Sequence, residues 1–439
     1  MPEAAEKKHL WQSPEAIFFI ALALRLVAVR LFYNSTWNDY EDHLWFGFET
    51  GRIARSIAEG HGFANPLSAQ TGPTAWLTPV YPYLVACVFK LFGVYTKVSA
   101  LVILSLNGLF SALICFPLFY AAQRSFSRGV AETACWIWTL YPYFIYIPSG
   151  FVWDTCLGAL LATTLFLCAL KLRERAGSWW TWLGFGVLGG LSALTNASTL
   201  TLCPVLGAWA IYPFRQHRKR WLSSGVLVVA GLVLTLLPWQ VRNYRTFHAQ
   251  IPLRDVFWLE FLVGNNGNTS SWMDIDIHPS IDAEQRAIFT RLGEIPYMQE
   301  KRREALAFLA QHPGLYPVQC LRRFVYLWTG FWNLDPSNLQ DEFHGFANVY
   351  LTLSLTLAML LGLWPAVRNS TVPVEGAFSA PRSFREAVLP YLLVLSFYPL
   401  VFYIAAPAIR YRHVVDPEVV VLASVGLRSL LRVPAFPKP

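Results

Sequence analysis

Apolar residues in this chain of 439 residues come in blocks of roughly 17–25, the length a helix needs to cross a bilayer, rather than in the short stripes of a surface helix. Such blocks fall at 14–33, 98–120, 129–150, 153–171, 179–197, 198–214, 222–240, 346–366, 387–408 and 414–431. The spacing predicts a single all-α polytopic membrane domain over residues 1–439, a bundle of about ten transmembrane helices. Composition agrees: 55% of residues are hydrophobic and 14% charged, against about a quarter charged in ordinary soluble domains. The polar start "MPEAAEKKHLWQ" runs into the first block without a small-residue cleavage site, so a retained first span is expected rather than a removed signal peptide.

Orientation follows from the basic residues. Lys7 and Lys8, then Arg124 and Arg128, then Lys171, Arg173 and Arg175, then "RQHRKR" from Arg215 to Arg220, all lie between blocks. So do Arg368, Arg382 and Arg385 in the linker 367–386, with Arg432 and Lys438 after the last block. The positive-inside rule puts each of these clusters and both termini on the cytoplasmic side. That holds only if "PVYPYLVACVFKLFG" (Pro79 to Gly93) does not cross; it is short, opens with two prolines and carries Lys90, so an interfacial helix is expected there. "VQCLRRFVYLWTGFW" (Val318 to Trp332) reads the same way. Two long loops, 34–97 and 242–341, then face the outside. The second contains two helical stretches: one capped by Asp282, the other amphipathic through Ala305, Leu306, Phe308 and Leu309 and ending at Pro313-Gly314. The net charge of +8 needs no nucleic-acid partner, because insertion accounts for it. The cysteines lack the paired spacing of a disulfide framework or zinc site.

Charge concentrates outside the bilayer. "FETGRIARSIAEGHGF" (Phe48 to Phe63) reads as a helix from about Phe46 to Glu59 ended by Gly60, with Phe46, Ile53 and Ile57 forming an apolar stripe and Glu49, Arg52 and Arg55 a polar face. As a solvated amphipathic helix it would need no function. However, Arg242 and Arg245 stand at the outer end of the seventh block, and Arg410, Tyr411, Arg412 and His413 occupy the short outer turn before the last. Arginine is disfavoured in such a turn, and its fork of donors suits a phosphate; lipid headgroups or snorkelling would explain it more simply. Asp39, Asp42 and Glu49 supply acids nearby. A carboxylate that takes a proton from an attacking hydroxyl, facing arginines that stabilise a departing phosphate, suits sugar transfer from a lipid phosphate.

In these residues the chain resembles the GT-C glycosyltransferases, specifically glycosyltransferase family 39, which includes protein O-mannosyltransferases and the bacterial aminoarabinose transferases. The matching pieces are "ETGRIARSIAEGHGF", "PTAWLTPVYPYLVACVFKLFG", "ALAFLAQHPGLY" and "RYRHVVDPEVVVLA". The resemblance implies Glu49 as the loop acid and Arg52 as the arginine three residues on, with Arg410 and Tyr411 as the pair before the final span; Asp39 and Asp42 stay open as the acid. It implies a polyprenyl-phosphate sugar donor, a lipid, glycan or protein acceptor on the extracytoplasmic face, and a bacterial inner membrane. Arg52, Arg55, Arg242, Arg410, Tyr411, Arg412 and His413 are the expected donor-phosphate residues. The sequence requires no cofactor; a divalent metal is a candidate only, and the alternation of Asp274, Asp276 and His278 in a Gly/Asn/Ser loop is more simply solvated. Trp153-Asp154 is placed to face the cavity, "LRDVFWLEFLVGNNG" to contribute on the acceptor side, and Arg25 is a costly charge inside the first block. Two rival functions are a flippase or transporter of lipid-linked sugars, which would want charges at midplane and repeated halves, and a non-catalytic assembly protein.

Overall fold

The computed structural model describes residues 12–36, 46–175, 177–267, 274–331, 346–367, 383–406 and 408–431. Asp39 and Asp42 therefore lie outside the described residues, as do the two chain ends and most of the 367–386 linker. All ten apolar blocks are helical. They form Pro14–Thr36, Lys97–Leu113 running on into Cys115–Ser125, Arg128–Leu140 followed by Pro142–Gly150, Thr155–Glu174 and Trp179–Thr195. Ala197–Thr201 leading into Leu202–Ile211, Arg218–Phe247, Phe346–Val367, Phe384–Phe397 with Leu400–Ile404, and Asp416–Leu430 complete the set. Among the described residues, five stretches are long and apolar enough to cross a membrane: Lys97–Ser125, Thr155–Glu174, Ala197–Phe214, Arg218–Phe247 and Phe384–Ile404. Two of the other blocks form shorter helices: Arg128–Gly150 is interrupted at Tyr141-Pro142, where proline cannot donate to the helix ladder, and Asp416–Leu430 has 15 residues.

Apolar side chains from these helices, including Trp138, Phe166, Tyr391 and Val419, form one continuous core. Two contacts are made backbone to backbone, as small residues allow where lipid offers no hydrophobic drive for association. A Cβ at Gly186 would stand 2.1 Å from the Val228 carbonyl, and one at Gly231 2.2 Å from that of Leu183, so Trp179–Thr195 and Arg218–Phe247 touch along their axes. Gly362 and Gly426 do the same for Phe346–Val367 and Asp416–Leu430, at 2.0 and 2.1 Å. Arg25 does not snorkel. It is fully buried and donates to Ser111 Oγ (2.8 Å), the Trp138 carbonyl (2.9 Å) and the Ala21 carbonyl (3.2 Å), joining three helices.

Over one end of the bundle lies a layer of shorter helices: Glu49–Ala58, Val80–Phe92, Phe257–Gly264, Ala283–Leu292, Glu294–Gln311 and Leu315–Thr329. At 13 residues Val80–Phe92 reaches only about 20 Å at 1.5 Å per residue, short of a span. Asp282 caps Ala283–Leu292 by accepting from the Glu284 amide at 2.8 Å. Leu315–Thr329 is amphipathic in reverse: Gln319 and Arg323 are buried while Leu321 and Phe324 are exposed, an arrangement suited to apolar surroundings. Two apolar clusters hold the layer together. In one, Ile53, Phe63 and Trp76 of the first outer loop meet Trp239, Leu259, Phe289 and Tyr297; in the other, Phe46, Ala54, Phe89 and Tyr95 meet Val29 and Val152.

Candidate active site

Between this layer and the bundle lies a cavity of about 410 Å³. Its charged walls are Glu49, Asp154, Glu260, Arg254 and Arg410, with Tyr411, Asn196 and His278 beside them and Trp76, Trp153, Phe257 and Phe402 as apolar surface.

Glu49 is carried to the cavity by a strained turn. Gly47 has φ +73° and Phe48 φ +40°, the second costly for a residue with a side chain. Gly47 lies so close to the bundle that a Cβ there would stand 2.4 Å from the Val152 carbonyl. That contact brings the loop after the first helix against the segment that presents Trp153 and Asp154. The following helix, Glu49–Ala58, is not a solvated surface helix. Thr50 to Ala54 and Ser56 are buried, because the helix is sandwiched between Val80–Phe92 and the Phe46–Tyr95 aromatic pair. Arg52 is accordingly only 4% exposed, with its guanidinium 5.3 Å from the Phe48 ring. Arg55 is half-buried beside Tyr95. Neither lines the cavity.

Arg410 and Arg412 part company because they stand two residues apart on a helical turn, Ile409–Arg412, about 200° around the axis. Arg410 faces the cavity and covers the Trp153 ring at 4.1 Å, while Trp153 stacks on Phe151 behind it. Arg412 turns into the bundle, where Nε donates to Asp416 Oδ1 at 2.7 Å and Nη1 to Thr356 Oγ1 at 3.1 Å. His413 is fully buried among Trp138, Tyr143 and Phe144. Arg242 is engaged with backbone, donating to the carbonyls of Thr74 (2.6 Å) and Phe63 (2.8 Å). Of the residues expected as the acid or at the donor phosphate, the cavity thus collects Glu49, Arg410 and Tyr411, and Trp153-Asp154 face it as expected.

Asp154, the residue before the Thr155–Glu174 span, accepts from Asn196 Nδ2 at 3.1 Å. Burial pushes its carboxyl up to about 6, while the charges of Arg254 and Arg410 and the Asn196 amide oppose the rise. Arg254 pairs with Glu260 at 3.7 Å, both from the segment marked for the acceptor side. His278 is buried in the cavity wall, edge-on to Trp76 at 5.7 Å, whereas Asp276 is exposed. Among the described residues no group of three or more His, Cys, Asp or Glu side chains is placed to hold a metal ion. Chemically, the cavity offers carboxylates to accept a proton, guanidinium groups to bind an anion, and aromatic faces for a sugar ring.

These features define a multi-pass membrane protein with the fold of the GT-C glycosyltransferases. The likeness extends over nearly the whole chain: a structure of the oligosaccharyltransferase AglB from Archaeoglobus fulgidus, in complex with an inhibitory peptide and a dolichol-phosphate, superposes with TM-score 0.55 at 16% identity, covering 95% of this chain and 50% of that one. The same archaeal enzyme tethered to an acceptor peptide containing the NVT sequon gives TM-score 0.55 at 15% identity, over 97% and 50%. The chain therefore spans about half the length of these neighbours. ArnT from Cupriavidus metallidurans in the apo state aligns over 94% of this chain and 77% of its own at 16% identity, with TM-score 0.37, a level that carries no geometric argument. Within the GT-C class, residues 75–239 match the family model described as dolichyl-phosphate-mannose-protein mannosyltransferase. No curated protein matches the chain significantly.

Proposed function

We propose that the protein is an integral-membrane glycosyltransferase that moves a sugar from a polyprenyl-phosphate donor to a lipid, glycan or protein acceptor on the extracytoplasmic face of a bacterial inner membrane. The observation that carries this reading is one cavity shared by Glu49 and Arg410, which come from the first outer loop and the last outer turn. Glu49 accepts the proton of the attacking acceptor group as its oxygen or nitrogen bonds to the anomeric carbon. The bond from that carbon to the phosphate oxygen breaks, and the electron pair leaves with the polyprenyl phosphate. Arg410, with Arg254 in the same cavity, neutralises the charge that gathers on this leaving group. Burial raises the Asp154 carboxyl to about 6, so it is largely ionised at neutral pH and stands in the same cavity as a second proton acceptor beside Glu49. The dolichol-phosphate held by the archaeal neighbour supports a lipid-phosphate donor.

The reading is tested in proteoliposomes carrying radiolabelled polyprenyl-phosphate hexoses and pentoses, supplied with membrane extract as acceptor. Release of polyprenyl phosphate, with label moved into extract, is the expected result. Movement of intact donor between leaflets without any release would overturn it in favour of a flippase.

A further inference from the structure

Among the described residues, the Glu49 carboxylate is not held by its own loop. Its hydrogen-bond donor among the described residues is Ser280 Oγ, 231 positions away in the second outer loop, which donates to Oε1. Ser280 belongs to a short turn, His278-Pro279-Ser280, that is fixed from several sides. The Ser280 amide donates to His278 Nδ1 at 3.1 Å, and the amides of Ile281 and Asp282 both donate to the His278 carbonyl at 2.9 Å. Arg286, on the helix that follows, donates to the carbonyls of Pro279 and Ser280 at 3.2 Å each. Because Nδ1 accepts, the imidazole keeps its proton on Nε2, and the ring packs against Trp76 in the cavity wall. The turn thus presents one hydroxyl, with a set direction, to one carboxylate.

We propose that the His278–Ser280 turn completes the catalytic centre, with Ser280 as the positioning residue for Glu49. A glutamate side chain has three rotatable bonds, and a general base must meet the attacking hydroxyl within hydrogen-bond distance. Ser280 pins Oε1 and leaves Oε2 to receive the proton. The second long loop is thereby part of the chemistry, so a protein with only the His278–Ser280 turn displaced holds its donor but turns it over slowly. This inference rests on Glu49 being the base.

The test reads Glu49 directly, without any donor. A carbodiimide reacts with a carboxyl oxygen, and a hydrogen bond that holds the carboxylate slows it; mass spectrometry follows the rate at Glu49 and at Asp154 in the purified full-length protein. Ser280→Ala and Ser280→Val are expected to speed labelling of Glu49 about tenfold, the loss of a hydrogen bond to a charged group, with Asp154 changed less than twofold. Ser280→Thr, which has the volume of valine and keeps the hydroxyl, is expected to label at the wild-type rate. Equal Glu49 labelling in wild type, Ser280→Ala and Ser280→Val overturns the proposal, as does parallel acceleration at Asp154, which marks a site that has merely opened. If valine prevents folding, the alanine and threonine variants carry the same comparison. Unchanged turnover in Glu49→Gln overturns instead the reading on which the proposal rests.

Discussion

Glu294 gives the outer layer a pH dependence of stability whose size can be worked out. Its carboxylate accepts from the Ala75 amide at 2.7 Å and from Thr74 Oγ1, while the Asp255 amide donates to the Ala75 carbonyl and Arg242 holds the Thr74 carbonyl. Four segments meet there, directly behind Trp76. Glu294 is only 5% exposed, and burial pushes its pKa from 4.5 up to about 7, the two hydrogen bonds opposing the rise. A carboxylate with a raised folded pKa binds more protons folded than unfolded between those two values. The junction is therefore most stable below about pH 4.5, weakens as pH rises through about 7, and levels off above that. The difference of about 2.5 units, at about 1.4 kcal/mol per unit, corresponds to about 3 kcal/mol. Burial also raises Asp255 to about 7, which adds to the trend with the same sign. Glu294→Gln keeps an oxygen for the Ala75 amide but carries no charge. It is expected to stabilise the layer at pH 8 and to flatten the profile between pH 5 and 8. Hydrogen exchange of the Thr74–Trp76 amides, corrected for intrinsic rates, measures this. Protection that rises with pH in the wild type, or a Glu294→Gln profile as steep as the wild type, would refute the reasoning.

Three further outcomes follow from the geometry. Gly47→Ala, with its Cβ 2.4 Å from the Val152 carbonyl and a positive φ, displaces Glu49 and lowers turnover at least tenfold, read in the proteoliposome assay. Gly426→Ala meets the Ala358 carbonyl at 2.1 Å and destabilises the bundle by about 1–3 kcal/mol, read as a lowered melting temperature in detergent. Arg412→Met leaves the fully buried Asp416 without its 2.7 Å partner, at a cost of about 3–5 kcal/mol. It lowers folded yield, which is read by size-exclusion chromatography.

The sequence displayed the architecture more fully than the site. Block lengths located all ten helical segments, and the cap at Asp282 was legible from its residue type and position. Both rest on local rules. Periodicity suggested one polar face for Glu49, Arg52 and Arg55, yet tertiary packing buried Arg52 once Gly51 allowed Phe46 and Tyr95 to close on the helix. Arg410 and Arg412 looked equivalent until the turn between them became helical. Arg242 has the position of a ligand-binding arginine but is engaged with backbone of a loop 168 residues away. Ser280 carried no signal, since a serine after a proline in a polar loop becomes informative only when Glu49 is seen beside it. His278 was legible as a candidate, although for a metal rather than for holding a turn.

The most direct test of the central claim measures donor binding and donor turnover in the same proteoliposomes for Glu49→Gln and Arg410→Met. Glu49→Gln is predicted to bind a radiolabelled polyprenyl-phosphate sugar as the wild type does while turnover falls by about 100-fold or more. Arg410→Met is predicted to bind that donor at least about tenfold more weakly. Wild-type binding and turnover in both variants would contradict the assignment of this cavity as the catalytic site.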